Sequence, residues 1–336
     1  MRYLCLDTGG TSIKYAVCNE QGEGVALKRR PEGGDGSPLG REPLSGSGYP
    51  TGSESSTGSG FPTNVESPST HLCVSKMPVG KTLEEFLDHV EKLYRDCGDI
   101  DGIACSFPGE VHSEEGVILG ISAVEQLHEV PLKQMISERC GGLRVTMLND
   151  ANAAAMGELW KGVGRSYKNI AFVIVGSGVG GAVVENGLLY PGTTKNKAEI
   201  GNFPMGGFRD GRLMAWSDFT LEKEVQRYNR EHGACLDGKE LIHMARCGDL
   251  TAAEYIEEFL HYMAVGCISV EFAYDPEIIA IGGGISADEQ IIEEIRQHYS
   301  RLVEGQRMGY LRPKIAACEQ GNNANLLGAL YYYLTI

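Results

Sequence analysis

Long apolar runs are missing from this chain of 336 residues. No stretch of 18 apolar residues occurs, so no membrane-spanning helix is expected. Only a few apolar residues precede Asp7, too few for the apolar region of a secretory leader, and the cytoplasm is the expected compartment. The ten cysteines include no Cys-x-x-Cys pair. Several lie inside apolar runs, such as Cys5 in YLCLD and Cys267 in VGCISV. They read as small buried hydrophobes in a reducing compartment, not as a disulfide framework. Positive charge is scarce too. Thirty Lys and Arg stand against 45 Asp and Glu, leaving −15, which argues against nucleic acid or membrane as the main partner. A small basic pocket for an anion is compatible with that balance. With 42% hydrophobic residues the chain can fill a core, so global disorder is excluded.

Glycine is in excess: 45 residues, about 13% against roughly 7% in average proteins. Part of the surplus is low complexity. Residues 29–70 hold nine Gly, nine Ser, six Pro and four Thr, and no apolar period of 3.6 or 2.0 survives there. Such a segment cannot bury enough apolar surface to offset its ordering entropy, so a flexible insertion is expected.

Outside it, strands and helices alternate, which predicts an α/β protein. YLCLDTG and SIKYAVCNE, joined by a Gly-Gly turn, suggest a hairpin, with a return strand near His71–Met77. Thr82–Cys97 sets Leu83, Phe86, Leu87, Val90 and Tyr94 on one helical face, with Thr82 as N-cap and Glu85 in capping-box position. Further strands are expected at Asp101–Phe107, Leu143–Leu148, Ile170–Val175, Gly181–Glu185, Glu277–Ile281 and Lys314–Ala317. Further helices are expected at Leu132–Cys140, Asp150–Trp160, roughly 219–231, 239–247 and 251–273, Asp288–His298 and Asn323–Leu334. The unit LCLDTGGTSIKYAV has a counterpart in AFVIVGSGVGGAVV, each a small-residue turn between two β runs. This suggests two related halves facing one cleft.

Phosphate groups need several backbone N–H donors aimed at one point, and only residues without bulk let the chain come that close. Three Gly-rich turns follow strands: Asp7-Thr8-Gly9-Gly10-Thr11, Gly176-Ser177-Gly178-Val179-Gly180-Gly181, and Gly282-Gly283-Gly284. None matches the P-loop, and the second is followed by a strand instead of a helix, which argues against a Rossmann site. Three such turns together, with Asp7 leading the first, favour a nucleotide polyphosphate plus a metal ion.

DTGGTSIK, SFPGEV (106–111), MLNDANAAAMGE, VGSGVGGAVVENGLLYPG and AIGGGIS, in that order, resemble motifs of the ROK family of sugar kinases and sugar-responsive repressors. The resemblance spans nearly the whole chain except 29–70. It implies a two-lobed actin-like ATPase (ribonuclease H-like) fold, with nucleotide and sugar in the cleft between lobes. The smaller N-terminal lobe is expected over 1–118, joined by the C-terminal helix 322–336, and the larger lobe over 119–321. The implied activity is transfer of the ATP γ-phosphate to a hydroxyl, the 6-hydroxyl, of a hexose, amino sugar or glucoside. A homodimer is implied by the resemblance alone.

Phosphoryl transfer to an alcohol needs in-line positioning, charge neutralisation and a base for the hydroxyl proton. Asp150 is the expected base. An ordinary carboxylate is a weak one, but the hydroxyl loses its proton late, when its acidity has risen. Asn149 beside it can donate and accept toward a sugar diol, or the pair can simply cap the following helix. By resemblance Asp7 approaches Mg²⁺ through water, and Gly9, Gly10 and Thr11 supply nearby donors. Lys14 either reaches phosphate or faces solvent. Gly176, Ser177 and Gly178 contact phosphates from the other lobe, and Gly282, Gly283 and Gly284 admit adenosine. Pro108 and Gly109 form the sugar-side turn.

The sugar-recognition run is AEIGN (198–202). The family pattern there is Glu-x-Gly-His, its His also a ligand of a structural zinc. This chain keeps Glu199 but has Asn202 at the His position. Residues 203–220 contain no Cys and no His, so the family's cysteine cluster is missing as well. Zinc needs thiolate or imidazole ligands in a tetrahedral set, and none is expected to bind. The departure leaves room for an anomerically substituted substrate such as a glucoside.

The second class considered is a non-catalytic ROK-type sensor or transcriptional regulator. Repressors of the family carry an added N-terminal helix-turn-helix. Here the phosphate motif begins by Asp7, and the charge is wrong for DNA. Other superfamily members, such as acetate kinases or chaperone-type ATPases, do not match the length or the sugar motif. Deletion of 29–70 is expected to leave the melting temperature within about 2 °C and turnover within about twofold; collapse of either in calorimetry or a kinase assay would show the segment to be structural.

Overall fold

The computed structural model describes residues 1–25, 72–120, 122–190, 199–209, 211–311 and 313–336. The expected insertion at 29–70 lies outside the described residues. β1 (Tyr3–Thr8) and β2 (Ser12–Cys18) form the expected antiparallel hairpin, and β3 (Ser75–Pro78) returns beside β2. α1 (Leu83–Cys97) follows. Thr82 caps it by accepting from the Glu85 amide at 3.2 Å. The Glu85 carboxylate reaches one residue further back than a capping box requires, to the amide of Lys81 at 2.7 Å. The buried stripe of α1 is Phe86, Leu87, Val90, Leu93 and Cys97, while Leu83 and Tyr94 at its margins are half-buried.

β4 (Gly102–Phe107) runs parallel to β1, and the short hairpin of β5 (Glu110–His112) and β6 (Val117–Leu119) comes next. After α2 (Leu132–Arg139), β7 (Val145–Asn149) pairs parallel with β4 and leads directly into α3 (Asp150–Lys161). The first sheet thus has the order β3-β2-β1-β4-β7. Residues past the expected boundary at 118/119 belong to this layer: β7 completes its sheet, and Leu132 and Ile136 of α2 pack in its core.

A second sheet repeats the plan. β8 (Ile170–Val175), β9 (Val179–Glu185) and β10 (Leu188–Leu189) meander antiparallel. The hairpin of β11 (Pro204–Arg209) and β12 (Arg212–Ala215) and three helices intervene: α4 (Leu221–His232), α5 (Gly238–Arg246) and α6 (Leu250–Tyr274). Then β13 (Ile278–Gly283) runs parallel to β8, α7 (Glu289–Gly305) follows, and β14 (Lys314–Ala317) pairs parallel with β13. The order β10-β9-β8-β13-β14 is that of the first sheet, element for element. The two hairpin units seen in the sequence occupy equivalent places in the two sheets. α7 runs about two turns beyond its expected end at His298, to Gly305, because Tyr299 and Val303 continue its buried stripe.

Each sheet is covered on both faces, so β1 and β4 are mostly apolar or small and are buried throughout, Asp7 and Ser106 included. One face of the first sheet meets α1 and α2; the other meets Leu326, Ala329, Leu330 and Tyr333 of the last helix, α8 (Ala324–Thr335). One face of the second sheet meets α4 to α7, and its other face meets Ala155 of α3. The connections therefore cross over. α3 leaves the first sheet and packs on the second, while α8 leaves the second and packs on the first. Six cysteines are buried in these cores, and all ten are free. Burial pushes the Cys267 thiol up to about 12 and Cys97 up to about 11, which keeps them as inert thiols.

α3 and α8 meet at two glycines. A Cβ on Gly328 would lie 1.7 Å from the Ala153 carbonyl oxygen, and one on Gly157 would lie 2.2 Å from that of Ala324. Both obstacles are backbone, so neither can rotate away. Gly328→Ala is expected to destabilise the protein by about 3 kcal/mol by overpacking, read as a lowered denaturant midpoint; an unchanged midpoint would show that the helices can part without cost.

Candidate functional site

The β1 register places Asp7 opposite Lys14 on β2 and opposite Ser106 on β4. Those pairings decide the surroundings of its buried carboxylate. Oδ2 accepts from the Lys14 ammonium at 3.2 Å, and Oδ1 accepts from the Ser106 hydroxyl at 3.2 Å and the Asn325 amide at 3.0 Å. Lys14, for which two roles were open, thus pairs with Asp7 and has its side chain 30% exposed on a pocket wall. Gly9, Gly10 and Thr11 form an exposed turn closed by the Gly9 amide donating to the Ser12 carbonyl at 2.9 Å. The turn stands at the rim of a cleft of about 900 Å³ between the sheets, with Gly10 against Ala123 of the cleft wall.

The expected sugar-side residues line that cleft together: Pro108, Gly109, Asn149, Asp150, Glu199 and Asn202. The parallel register of β4 and β7 sets Phe107 opposite Asn149, which brings the turn after β4 to the start of α3. Gly109 takes φ +95°, a conformation costly for any residue with a Cβ. Asn149 is the N-cap of α3: its Oδ1 accepts from the Asn152 amide at 3.1 Å. Its amide group donates to the Gly109 carbonyl at 2.9 Å and to Asp150 Oδ1 at 3.1 Å. Capping and cleft lining therefore coexist, and the hydrogen-bonding capacity of Asn149 is mostly spent on the protein.

Asp150 opens α3, where a helix N-terminus and the Ala151 amide at 2.8 Å both favour the carboxylate. Burial outweighs them. Desolvation first, then the nearby charges of Asp7 and Glu199, push its carboxyl up to about 6. This differs from the ordinary carboxylate expected from sequence and makes Asp150 a stronger base near neutral pH. Glu199 is raised as well, by desolvation and then by Glu110.

Gly176, Ser177 and Gly178 turn from β8 into β9 across the same cleft, with the Gly176 amide donating to the Gly178 carbonyl at 2.9 Å. A Cβ on Gly176 would meet nothing in the protein, so packing does not account for the glycine. Gly282, Gly283 and Gly284 lie elsewhere, in an adjoining pocket of about 280 Å³ that shares Ile174 and Asn325 with the cleft. Gly283 has φ +86°, and a Cβ there would stand 1.9 Å from the Val175 carbonyl oxygen. The sheet therefore demands a glycine here independently of any ligand in the pocket. Lys14 lines this pocket, as does Glu158 at the far end of α3. The Glu158 carboxylate is fully buried and accepts from the amides of Val163, Glu319 and Gln320 at 3.0, 3.0 and 2.6 Å.

Sequence reasoning missed several polar lining residues, among them Glu110, Ser122, Ser217 and Asn325. Glu110 lines the cleft and binds His112 Nε2 at 2.8 Å. Ser217 lines it from the turn after β12, and Asn325 stands between the two pockets. Glu110 sits inside the quoted SFPGEV run and could have been singled out; Ser217 and Asn325 belong to no motif.

Two sheets of one topology, exchanged helices and a cleft between the sheets define the actin-like ATPase fold. The chain belongs to the ROK family, whose model matches residues 69–335. It is 28% identical over 261 residues to a β-glucoside kinase of Listeria monocytogenes, covering 76% of this chain and 86% of that protein. It is 30% identical over 264 residues to a glucokinase of Halalkalibacterium halodurans, covering 70% and 76%. A ROK family protein from Streptococcus pneumoniae TIGR4, solved in complex with sucrose, superposes with a TM-score of 0.79 at 26% identity, covering 99% of this chain and 98% of that one. The chain is accordingly a phosphotransferase with an alcohol acceptor, a ROK sugar kinase. Among the described residues no helix is long and apolar enough to cross a membrane.

The raised carboxyl of Asp150 has a consequence for stability. The folded state holds its proton more tightly than the unfolded chain. Its contribution is therefore most favourable below the unfolded value of 3.8 and is lost as pH rises through about 6. Asp150→Asn removes a charge that the fold disfavours. It is expected to stabilise the protein by up to about 3 kcal/mol above pH 6 and not at all below about pH 4. Denaturant titrations at both ends of that range check this, and equal stabilisation at both would refute the desolvation account.

Proposed function

We propose that this ROK sugar kinase transfers the γ-phosphoryl group of ATP to the 6-hydroxyl of a hexose, amino sugar or glucoside, with Asp150 as general base. The observation that carries this reading is a desolvated carboxylate with its carboxyl near 6, in one cleft with the open turn Gly176-Ser177-Gly178. A base of that strength is charged at neutral pH and takes a proton more readily than an ordinary carboxylate. The alcohol proton passes to Asp150 as the hydroxyl oxygen bonds to the γ-phosphorus and the bond to the bridging oxygen of ADP breaks.

Each pocket takes one part of the reactants. Pro108, Gly109, Asn149, Glu199 and Asn202 surround the sugar, with Glu199 as acceptor and Asn202 able to donate or accept. Gly176, Ser177 and Gly178 receive phosphates, with Gly9, Gly10 and Thr11 at the facing rim. Gly282, Gly283 and Gly284 line the adenosine pocket, and Lys14 stands between, as a cation for the phosphates. Mg²⁺ fits at Asp7 through its water shell, since both carboxylate oxygens already accept hydrogen bonds from the protein. When bound it would neutralise phosphate charge. Glucoside acceptance is supported by Asn202 in place of an imidazole, by the β-glucoside kinase relative, and by a neighbour solved with sucrose.

The lobes in this reading follow the sheets. Of the described residues, the first holds those up to 149 together with α8, so its boundary moves from 118 to the end of β7, and the second holds the others. Ten free cysteines support a reducing compartment such as the cytoplasm. A homodimer remains the assembly proposed, on the strength of the family.

Purified protein with Mg-ATP is expected to release ADP on addition of one or more members of a panel of hexoses, amino sugars and glucosides. Sugar binding without ADP release would favour a sensor. Asp150→Ala should lose roughly 10²- to 10⁴-fold in kcat with sugar binding retained. In the wild type, kcat should fall about tenfold per pH unit below about 6 as Asp150 takes up its proton. Unchanged turnover in the variant would remove Asp150 as the base.

A further inference from the structure

The turn that carries Asn202 is followed by the β11–β12 hairpin and a single helical turn, Trp216–Phe219. This is where the family resemblance implies a zinc site, and the residues present do not fit one. The polar anchor here is Arg212. Its guanidinium donates to both carboxylate oxygens of Asp218, Nη1 to Oδ2 at 2.8 Å and Nη2 to Oδ1 at 2.6 Å. A guanidinium is always cationic and has no lone pair for a metal, and Asp218 Oδ2 also accepts from the Ala215 amide at 2.8 Å. The pair ties the end of β12 to the helical turn. Trp216, fully buried, seats the same turn against α6, where a Cβ on Gly266 would stand 2.1 Å from the indole ring.

Between Trp216 and Asp218 lies Ser217, and its hydroxyl touches both halves of the proposed substrate site. It accepts from the Val179 amide at 3.0 Å, at the end of the phosphate-facing turn. A Cβ on Gly201, in the sugar-side turn, would stand 2.5 Å from the same oxygen and 2.0 Å from the Val179 carbonyl. The two turns thus meet at the Gly201–Val179 backbone contact and share the Ser217 hydroxyl beside it, and the helical turn that carries Ser217 is tied to β12 by the Arg212–Asp218 fork.

We propose that Arg212 and Asp218 are positioning residues, a metal-free fastening that fixes Ser217 and through it aligns the sugar-side turn 199–202 with the phosphate-side turn 176–179. The inference rests on the sugar and phosphate assignments proposed above. Arg212 is 60% exposed and Asp218 16% exposed, so the pair contributes little to global stability. Its effect falls on geometry, where small displacements are amplified in rate and binding.

The test is a double-mutant cycle on the full chain. Arg212→Gln and Ser217→Ala should each raise KM for both sugar and ATP about tenfold, with melting temperatures within about 2 °C of wild type. The double variant should be no worse than either single, because both act through one contact. Arg212→Lys, which keeps the charge and loses the fork, should fall between. Multiplicative effects in the double variant, or unchanged KM in Arg212→Gln, would overturn the proposal. Dialysis against a zinc chelator should leave the melting temperature unchanged and metal analysis should find no zinc; about one zinc per chain would equally overturn it. Should the wild type turn over no sugar, the functional reading fails and hydrogen exchange decides this one. Faster exchange over 176–181 and 199–203 in Arg212→Gln supports the fastening, and identical exchange refutes it.

Discussion

Two helices cross where neither can carry a side chain, and the relation between the two sheets depends on that crossing. Gly157 of α3 lies against the backbone of α8, and Gly328 of α8 lies against the backbone of α3. Each helix begins at the last strand of one sheet and packs on the other, so the crossing is the point at which both layers are held. The cleft is what remains between sheets joined in this way. Its floor carries Asp150 at the first position of α3 and Asn325 at the second position of α8. Asn325 in turn binds Asp7 of the opposite hairpin, so a side chain from each helix and a strand from the first sheet converge on one spot.

The electrostatics of the cleft run against its own stability. Glu110, Asp150 and Glu199 share one wall space, and desolvation raises the carboxyls of Asp150 and Glu199 above their ordinary values. Asp7, by contrast, has its carboxylate oxygens taken up by hydrogen bonds from Lys14, Ser106 and Asn325. Carboxylates that are left under-satisfied in a site are an energetic burden that substrate hydroxyls or cations relieve on binding.

Much of this architecture was legible in the sequence. The hairpin repeat was readable because Gly-rich turns between β-branched runs have few alternatives, and the two hairpins do occupy matching positions. The length of α7 was misjudged because its stripe continues through Tyr299 and Val303 after a polar interval. The β5–β6 and β11–β12 hairpins were not visible, since β5, β6 and β12 have only three or four residues and β11, reading PMGGFR, opens on proline and has two glycines at its centre. For the site, glycine and carboxylate runs marked Asp7, Asp150 and Gly176 to Gly178. What they could not mark was environment. The shift of Asp150 arises from desolvation in the fold and from Asp7 and Glu199, residues far away in the chain. Ser217 and Asn325 acquire their positions only when the turn after β12 and the helix α8 are placed in space, and a single serine or asparagine advertises nothing beforehand. Gly283 shows a second demand that the sequence could not reveal: besides lining the adjoining pocket, it stands where the Val175 carbonyl leaves no room for a Cβ.

The helix α3 has one further property. Asp150 stands at its start in the larger cleft, and Glu158 stands two turns on, gripping the loop that walls the adjoining pocket. Eight residues of α-helix measure about 12 Å along the axis. A rigid rod therefore sets the spacing between the acceptor end and the nucleotide end of the proposed site. Swinging the sheets apart widens the cleft but leaves that spacing untouched. The helix acts as a gauge block, and a one-residue insertion just after Gly157 would keep the crossing with α8 but rotate Glu158 by about 100° away from the amides of Glu319 and Gln320.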